Sequence, residues 1–320
     1  MSVALEASRR DAAPALRYAG FGVLVLAGIV APFVAYPIFV MTALCFALFA
    51  CAFNLLLGFV GLLSFGHAAF FGWAAYVAAH AAKVWGWTPE LAILAGAVVA
   101  AVLGLVVGWL AIRRHGIYFA MITLALAQMT YFFALQAPFT GGEDGIQAIP
   151  RGYLLGLISL DRPLVVYYFV LVVFLFGFFL IYRAVHSPFG QVLKAIRENE
   201  ARAVSLGYKV HHYKLLAFVL SAALAGLAGG TKALVMQFAT LTDVHWHTSG
   251  DVVLMTLLGG MGTIFGPVVG AFLVLALRNY LAGYGGWVTV IIGVIFVACV
   301  LLFRRGIVGE LARLLRLRSA

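Results

Sequence analysis

A charged stretch, AIRENEARAVSLG, runs from Ala195 to Gly207 in the middle of an otherwise apolar chain. It predicts one short helix, capped by Ser187 and stopped at Gly207, with opposite charges four residues apart in Glu198 and Arg202. A helix that binds lipid headgroups presents a basic polar face, whereas this one mixes both signs and therefore favours a protein partner. A solvated surface helix is the alternative.

Catalytic and energy-coupling chemistry has few candidate residues here. The chain has no G-x-x-x-x-G-K-[ST] stretch, and so no P-loop to hold ATP phosphates. Histidines with haem-ligand spacing and carboxylates in the middle of apolar stretches are both missing, which disfavours a membrane redox subunit. A secondary transporter usually has a buried acidic or basic coupling residue, and none is expected in this chain, which disfavours that class. We expect no catalytic residue, no metal and no cofactor in this chain.

Composition predicts an all-α polytopic membrane protein. The 320 residues are 65% hydrophobic and 10% charged, whereas soluble domains carry roughly 25% charged residues. The net charge of +10 does not indicate nucleic-acid binding, because basic residues gather beside membrane spans. About eight stretches are long enough to cross a bilayer: 18–36, 37–59, 60–82, 91–110, 117–137, 164–182, 215–236 and 286–303.

Charge asymmetry predicts the orientation. Arginine and lysine cluster before the first span, between the fourth and fifth, in the loop 184–214 and after the last span, whereas the opposite loops hold mostly acidic residues. By the positive-inside rule, both termini and the loop 184–214 are expected to be cytoplasmic.

Residues 251–277 differ from the other apolar stretches. Their centre, LLGGMGTIFGP, holds four glycines and Pro267, which would break a helix. Two cytoplasmic termini require an even number of crossings, so we expect a re-entrant hairpin with Asp251 and Arg278 both on the outer side. A glycine-kinked span is the alternative. Irregular backbone at membrane depth needs protein or an aqueous cavity around it.

A second interrupted stretch, GLLSFGHAAFFG, occupies Gly61–Gly72. Two such segments in the two halves of the chain suggest an inverted repeat around a central pathway. For the histidine in this stretch, the alternative is an ordinary hydrogen bond between helices. The candidate pathway residues are Ser64, His67, Gln128 and Thr263.

Five stretches, in order along the chain, resemble the permease subunits of branched-chain amino acid ABC importers, the LivM/LivH type. They cover most of residues 50–275 and are specific as a set. They are NLLLGFVGLLSFGHAAFFGWAAY (Asn54–Tyr76), GIYFAMITLALAQM (Gly116–Met129), FTGGEDGI (Phe139–Ile146), AIRENEARAVSLGYKVHHYKLLAFVLSAALAGLAG (Ala195–Gly229) and LLGGMGTIFGPVVGA (Leu257–Ala271).

The resemblance implies one transmembrane permease domain over 1–320, with 184–214 as a cytoplasmic coupling loop, in the inner membrane of a bacterium. The implied partners are a second homologous permease subunit, two ATP-binding cassette subunits that hydrolyse ATP, a periplasmic solute-binding protein and the lipid bilayer. The implied solute is a branched-chain or other hydrophobic amino acid, with urea, short amides and aromatic acids as alternatives.

The resemblance also implies roles for two sets of charged residues. The stretch FTGGEDGI is expected on the outer side, where Glu143 and Asp144 either contact the binding protein or belong to a plain glycine-rich turn. The charged helix departs from the general importer pattern EAA…G, because Arg202 follows Glu200–Ala201. The residues implied to meet the ATPase are Arg197, Glu198, Asn199, Glu200 and Arg202.

Overall fold

The computed structural model describes residues 20–22, 24–154, 156, 158–302 and 306–314. The arginines before the first span and after the last, on which part of the predicted orientation rests, lie largely outside these residues. The helices are α1 (Gly20–Val34), α2 (Pro37–Phe59), α3 (His67–Lys83), α4 (Pro89–Ala111), α5 (Ile117–Gln136), α6 (Pro163–His186), α7 (Pro188–Glu198), α8 (Glu200–Ser205), α9 (Val210–Met236), α10 (Leu241–Val244), α11 (Trp246–Gly259), α12 (Gly266–Leu281), α13 (Trp287–Leu302) and α14 (Gly306–Leu314).

The fold agrees with the predicted class of all-α polytopic membrane proteins. Within the described residues, six helices are long and apolar enough to cross a membrane, namely α2, α4, α5, α6, α9 and α12 with its extension to Tyr284. The apolar helices α1 and α13 are shorter, as is α3, and α3 and α13 have 17 and 16 residues. The figure of about eight spans therefore stays a prediction.

Helix α9 lies at the centre of the bundle and packs against α2, α3 and α4. Small residues make this close packing possible, because they let helix backbones approach one another. Gly104 of α4 faces Ala222 of α9, and Gly226 of α9 faces Ala100 of α4. A Cβ atom on Gly226 would lie only 3.2 Å from the Cα atom of Ala97. Small residues of α4 and α9 thus pack against each other.

The predicted span 60–82 is wrong in its first residues. Helix α2 ends at Phe59 and α3 begins at His67, so residues 60–66 are non-helical and are named here the first break. Gly61 adopts a φ of +82°, a left-handed conformation that glycine reaches without steric cost. The glycines of GLLSFGHAAFFG were the signal for this interruption.

Residues 260–265 form the second break, between α11 and α12. The two helices pack against each other in antiparallel directions, and an ion pair between Asp251 and Arg278 joins them. Closer to the second break, the backbones of α11 and α12 are in direct contact. A Cβ atom added to Gly259 would overlap the carbonyl of Gly266. Asp251 and Arg278 are therefore neighbours, as expected of a helical hairpin.

The end of the bundle that carries residues 184–214 is named here the loop end. The turn after α4 lies there, because His115 contacts Glu200 of α8. The second break lies there too, because a Cβ atom on Gly262 would be 3.3 Å from Nη1 of Arg197 in the loop. Both ends of the described chain lie beside this break, since Phe21 packs on Phe265 and Gly306 packs on Gly260. The tip of the hairpin is thus at the loop end, and α11 and α12 extend from it toward the opposite end.

The opposite end is closed by short strands and turns. Strand β1 (Ile146–Gln147) pairs antiparallel with β4 (Phe238–Ala239), while β2 (Tyr153–Leu154) and β3 (Ile158–Ser159) form a small hairpin. The pairing of β1 with β4 connects the loop after α5 to the segment between α9 and α11.

Candidate functional site

The second break is connected to α2 by one buried side chain, Asn54. Its Nδ2 donates to the carbonyl of Thr263 at 2.8 Å, and its Oδ1 accepts from the amide of Gly262 at 2.9 Å. Asn54 is 2% exposed. Gly58, one turn later, lies so close to the second break that a Cβ atom there would be 2.5 Å from the amide nitrogen of Gly262. The last turns of α2 and the second break therefore fit together as one unit.

The charged stretch forms two short helices instead of the single predicted one. Ser187 caps α7 as expected, accepting from the amide of Gly190 at 3.4 Å. Asn199 adopts an extended conformation, with φ −157° and ψ 100°, and its Oδ1 caps α8 by accepting from the amide of Arg202 at 3.0 Å. The predicted spacing of Glu198 and Arg202 within one helix is therefore wrong, because asparagine is a strong helix cap.

The five candidate contact residues fall into two groups. Glu198, Asn199 and Arg202 are exposed at the loop end, and we name these three the charged ridge; Arg197 is exposed too but is hydrogen-bonded to α2. Glu200 instead accepts from Nζ of Lys214 at 2.7 Å and lies 3.5 Å from Nδ1 of His115. Arg197 donates from Nη1 to the carbonyl of Gly58.

The candidate pathway residues do not form a single cluster. His67 is fully buried and its Nε2 lies 2.9 Å from Oγ of Ser221, so it makes the helix-to-helix hydrogen bond that was the alternative interpretation. Ser64 accepts from the amide of Gly66 within the first break. Thr263 stabilises the second break by donating to Gly260. Gln128 is half-buried on α5.

A buried ion pair at the opposite end was missed by the sequence reasoning. Nζ of Lys232 lies 2.8 Å from both carboxylate oxygens of Asp243, and the two residues are 6% and 5% exposed. Lys232 belongs to α9, and Asp243 belongs to α10, where it completes a capping box with Thr240. The signal was a lysine in the small-residue row GLAGGTK, because a charge inside an apolar helix needs a partner.

Polar groups at the opposite end outside the helices have separate local roles. Glu143 and Asp144 are exposed on a single 3-10 turn, between glycines with positive φ. At the start of α11, burial lowers the pKa of His245, and the neighbouring His247 lowers it further. A neutral His245 ring can accept the amide of His247 through Nδ1, at 3.4 Å.

These features define the class of the protein. Apolar helices of membrane-spanning length, with two interrupted segments among them, are typical of multi-pass membrane transport proteins.

Comparison with known proteins gives the family. Residues 35–303 match the family described as branched-chain amino acid transport system / permease component, and the chain belongs to it. The permease protein LivM of the high-affinity branched-chain amino acid transport system of Escherichia coli (strain K12) is 27% identical over 289 residues, which are 83% of this chain and 68% of that protein. LivM of Salmonella typhimurium is 28% identical with the same coverage.

Another relative has a different solute in its name. The ribose import permease protein RbsC of Bacillus subtilis (strain 168) is 29% identical over 196 residues, which are 56% of this chain and 58% of that protein. No solved structure matches the chain.

Removing one partner of the buried ion pair should destabilise the protein. In Lys232→Met, Asp243 is left buried without its counter-charge, and we expect a loss of about 3–5 kcal/mol. The double variant Lys232→Met with Asp243→Asn removes both charges and should recover most of that loss. The measurement is thermal unfolding in detergent. Equal stability of the single variant and the wild type would contradict the ion pair's structural role.

Proposed function

We propose that this chain is the transmembrane permease subunit of an ATP-driven importer for branched-chain or other hydrophobic amino acids. The observation that carries the proposal is family membership over residues 35–303, together with two LivM relatives that match 83% of the chain. Relatives named for ribose and autoinducer 2 import match shorter parts of it. Competition among leucine, ribose and aromatic acids for uptake tests the solute class.

The energy for transport would come from other subunits. Because the sequence contains no P-loop, we propose two ATP-binding cassette subunits at the loop end. A second, homologous permease subunit would complete the transmembrane pathway. A periplasmic solute-binding protein would contact the opposite end, where Glu143 and Asp144 are exposed.

The charged ridge is the proposed contact with the ATPase. Glu198 ends α7, Asn199 caps α8 and Arg202 lies within α8, and all three residues are exposed. Glu200 holds α8 against α9 through its ion pair with Lys214, and it thereby fixes the position of the ridge. In this proposal, residues 184–214 are the coupling loop of a permease domain over 1–320.

The proposed orientation puts the loop end in the cytoplasm. It is supported by the basic residues of the loop 184–214 and by both ends of the described chain lying at the same end. The hairpin of α11 and α12 would then enter the membrane from the outer side and leave on that side.

Reversing one charge of the ridge should weaken assembly with the ATPase. Glu198→Lys changes an exposed side chain with no role in the core, so the protein should fold and insert normally. If it then faces basic groups of a partner groove, association should weaken by about 1–2 kcal/mol, or roughly five- to thirtyfold. The measurement is the amount of ATPase co-purified through a tag on this chain.

Glu143→Lys is the matched control, because it makes the same charge change on an exposed residue at the opposite end. It should leave ATPase retention unchanged. Equal ATPase retention by Glu198→Lys and wild type would show that the ridge is only a solvated surface. Glu200 is unsuitable for this test, because lysine there would face the nearly buried Lys214.

Labelling with an impermeant maleimide tests the orientation. The three native cysteines, Cys45, Cys51 and Cys299, are first replaced by alanine. In spheroplasts, Asp144→Cys should react at once, whereas Ser205→Cys should react only after the membrane is permeabilised. Both positions are exposed, so access depends on the side of the membrane. The reverse pattern would contradict the proposed orientation.

A further inference from the structure

Arg197 differs from the charged ridge in the direction of its side chain. It lies in the last turn of α7, yet its guanidinium donates to the carbonyl of Gly58 in the last turn of α2. The last four carbonyls of a helix have no partner within the helix, and the helix dipole favours a cation there. Arg197 therefore caps α2 from the loop 184–214.

The side chain of Arg197 also passes close to one glycine in each break. A Cβ atom on Gly61, in the first break, would lie 3.1 Å from Cγ of Arg197. A Cβ atom on Gly262, in the second break, would lie 3.3 Å from its Nη1. Both glycines have positive φ, so the absence of a side chain leaves room for the arginine as well as permitting the backbone conformation.

Arg197 thus contacts the last turn of α2, the first break and the second break, which together are named here the junction. Asn54 already connects α2 to the second break, and Gly58 is in close approach to Gly262. Any shift of α7 relative to α2 must either carry Gly58 and the two breaks with it or break the hydrogen bond from Arg197. The planar guanidinium of an arginine holds a hydrogen bond in a more fixed direction than the ammonium group of a lysine would, because the lysine stem is flexible.

We propose that Arg197 is the positioning residue that transmits movement of the loop 184–214 to both helix breaks. This inference rests on the proposed function, in which an ATPase moves the loop. The ridge residues would hold the ATPase, whereas Arg197 would convert its movement into opening and closing of the broken segments. Loss of Arg197 should therefore uncouple ATP hydrolysis from transport without releasing the ATPase.

The test compares Arg197→Gln with Lys209→Gln in the complete importer, purified through a tag on this chain and placed in proteoliposomes. Both variants remove one positive charge from an exposed residue of the same loop, but Lys209 belongs neither to the charged ridge nor to the contact with Gly58. Three quantities are measured: ATPase retained, ATP hydrolysed, and radiolabelled leucine taken up per ATP. A fold defect would lower the amount of complex but not the uptake per ATP.

For Arg197→Gln, we expect normal ATPase retention and a fall in leucine uptake per ATP of about tenfold, within the usual range of coupling between sites. Lys209→Gln should keep the wild-type ratio, and Arg197→Lys should recover part of it. An unchanged ratio in Arg197→Gln, or its loss of the ATPase, would overturn the inference. Absence of ATP-dependent uptake of leucine by the wild type would instead contradict the proposed function and, with it, this inference.

Discussion

Two stretches of non-helical backbone interrupt an apolar helical bundle at its loop end, and the rest of the structure depends on how their polar groups are satisfied. In a membrane an unpaired amide or carbonyl has no water to bond with, so irregular backbone must find partners in protein. Asn54 supplies two of these bonds to the second break. Each contributes only about 0.5–1.5 kcal/mol, but a buried group left unpaired costs about 1–3 kcal/mol. This requirement keeps the second break against α2, where Arg197 reaches both breaks.

The buried charges follow the same rule and connect the two ends of the bundle. Helix α9 carries Lys214, bonded to Glu200 at the loop end, and Lys232, bonded to Asp243 at the opposite end. The two lysines are eighteen residues apart, which is about 27 Å along a helix. The central helix is thus attached at one end to the proposed coupling loop and at the other to the segment that leads into the hairpin.

Much of this architecture could be predicted from the sequence, because apolar length, glycine clusters and charge sorting are local signals. The apolar stretch 37–59 predicted α2 with the bounds that are observed, and the glycines of LLGGMGTIFGP predicted the second break. The family resemblance was confirmed. The division of the charged stretch at Asn199 was missed, because the charge spacing was given more weight than the capping preference of asparagine. The partners of Asn54, Arg197 and Lys232 could not be predicted, since each bond joins residues whose proximity only the tertiary packing creates. The roles proposed for the ridge stay predictions.

Hydrogen–deuterium exchange, read by mass spectrometry, tests the junction most directly. In Asn54→Ala, the amide of Gly262 loses its acceptor and the carbonyl of Thr263 loses its donor. The account predicts faster exchange in peptides that cover residues 257–265, while peptides from α9 exchange as in the wild type. Unchanged exchange across residues 257–265 would contradict the claim that Asn54 holds the second break against α2.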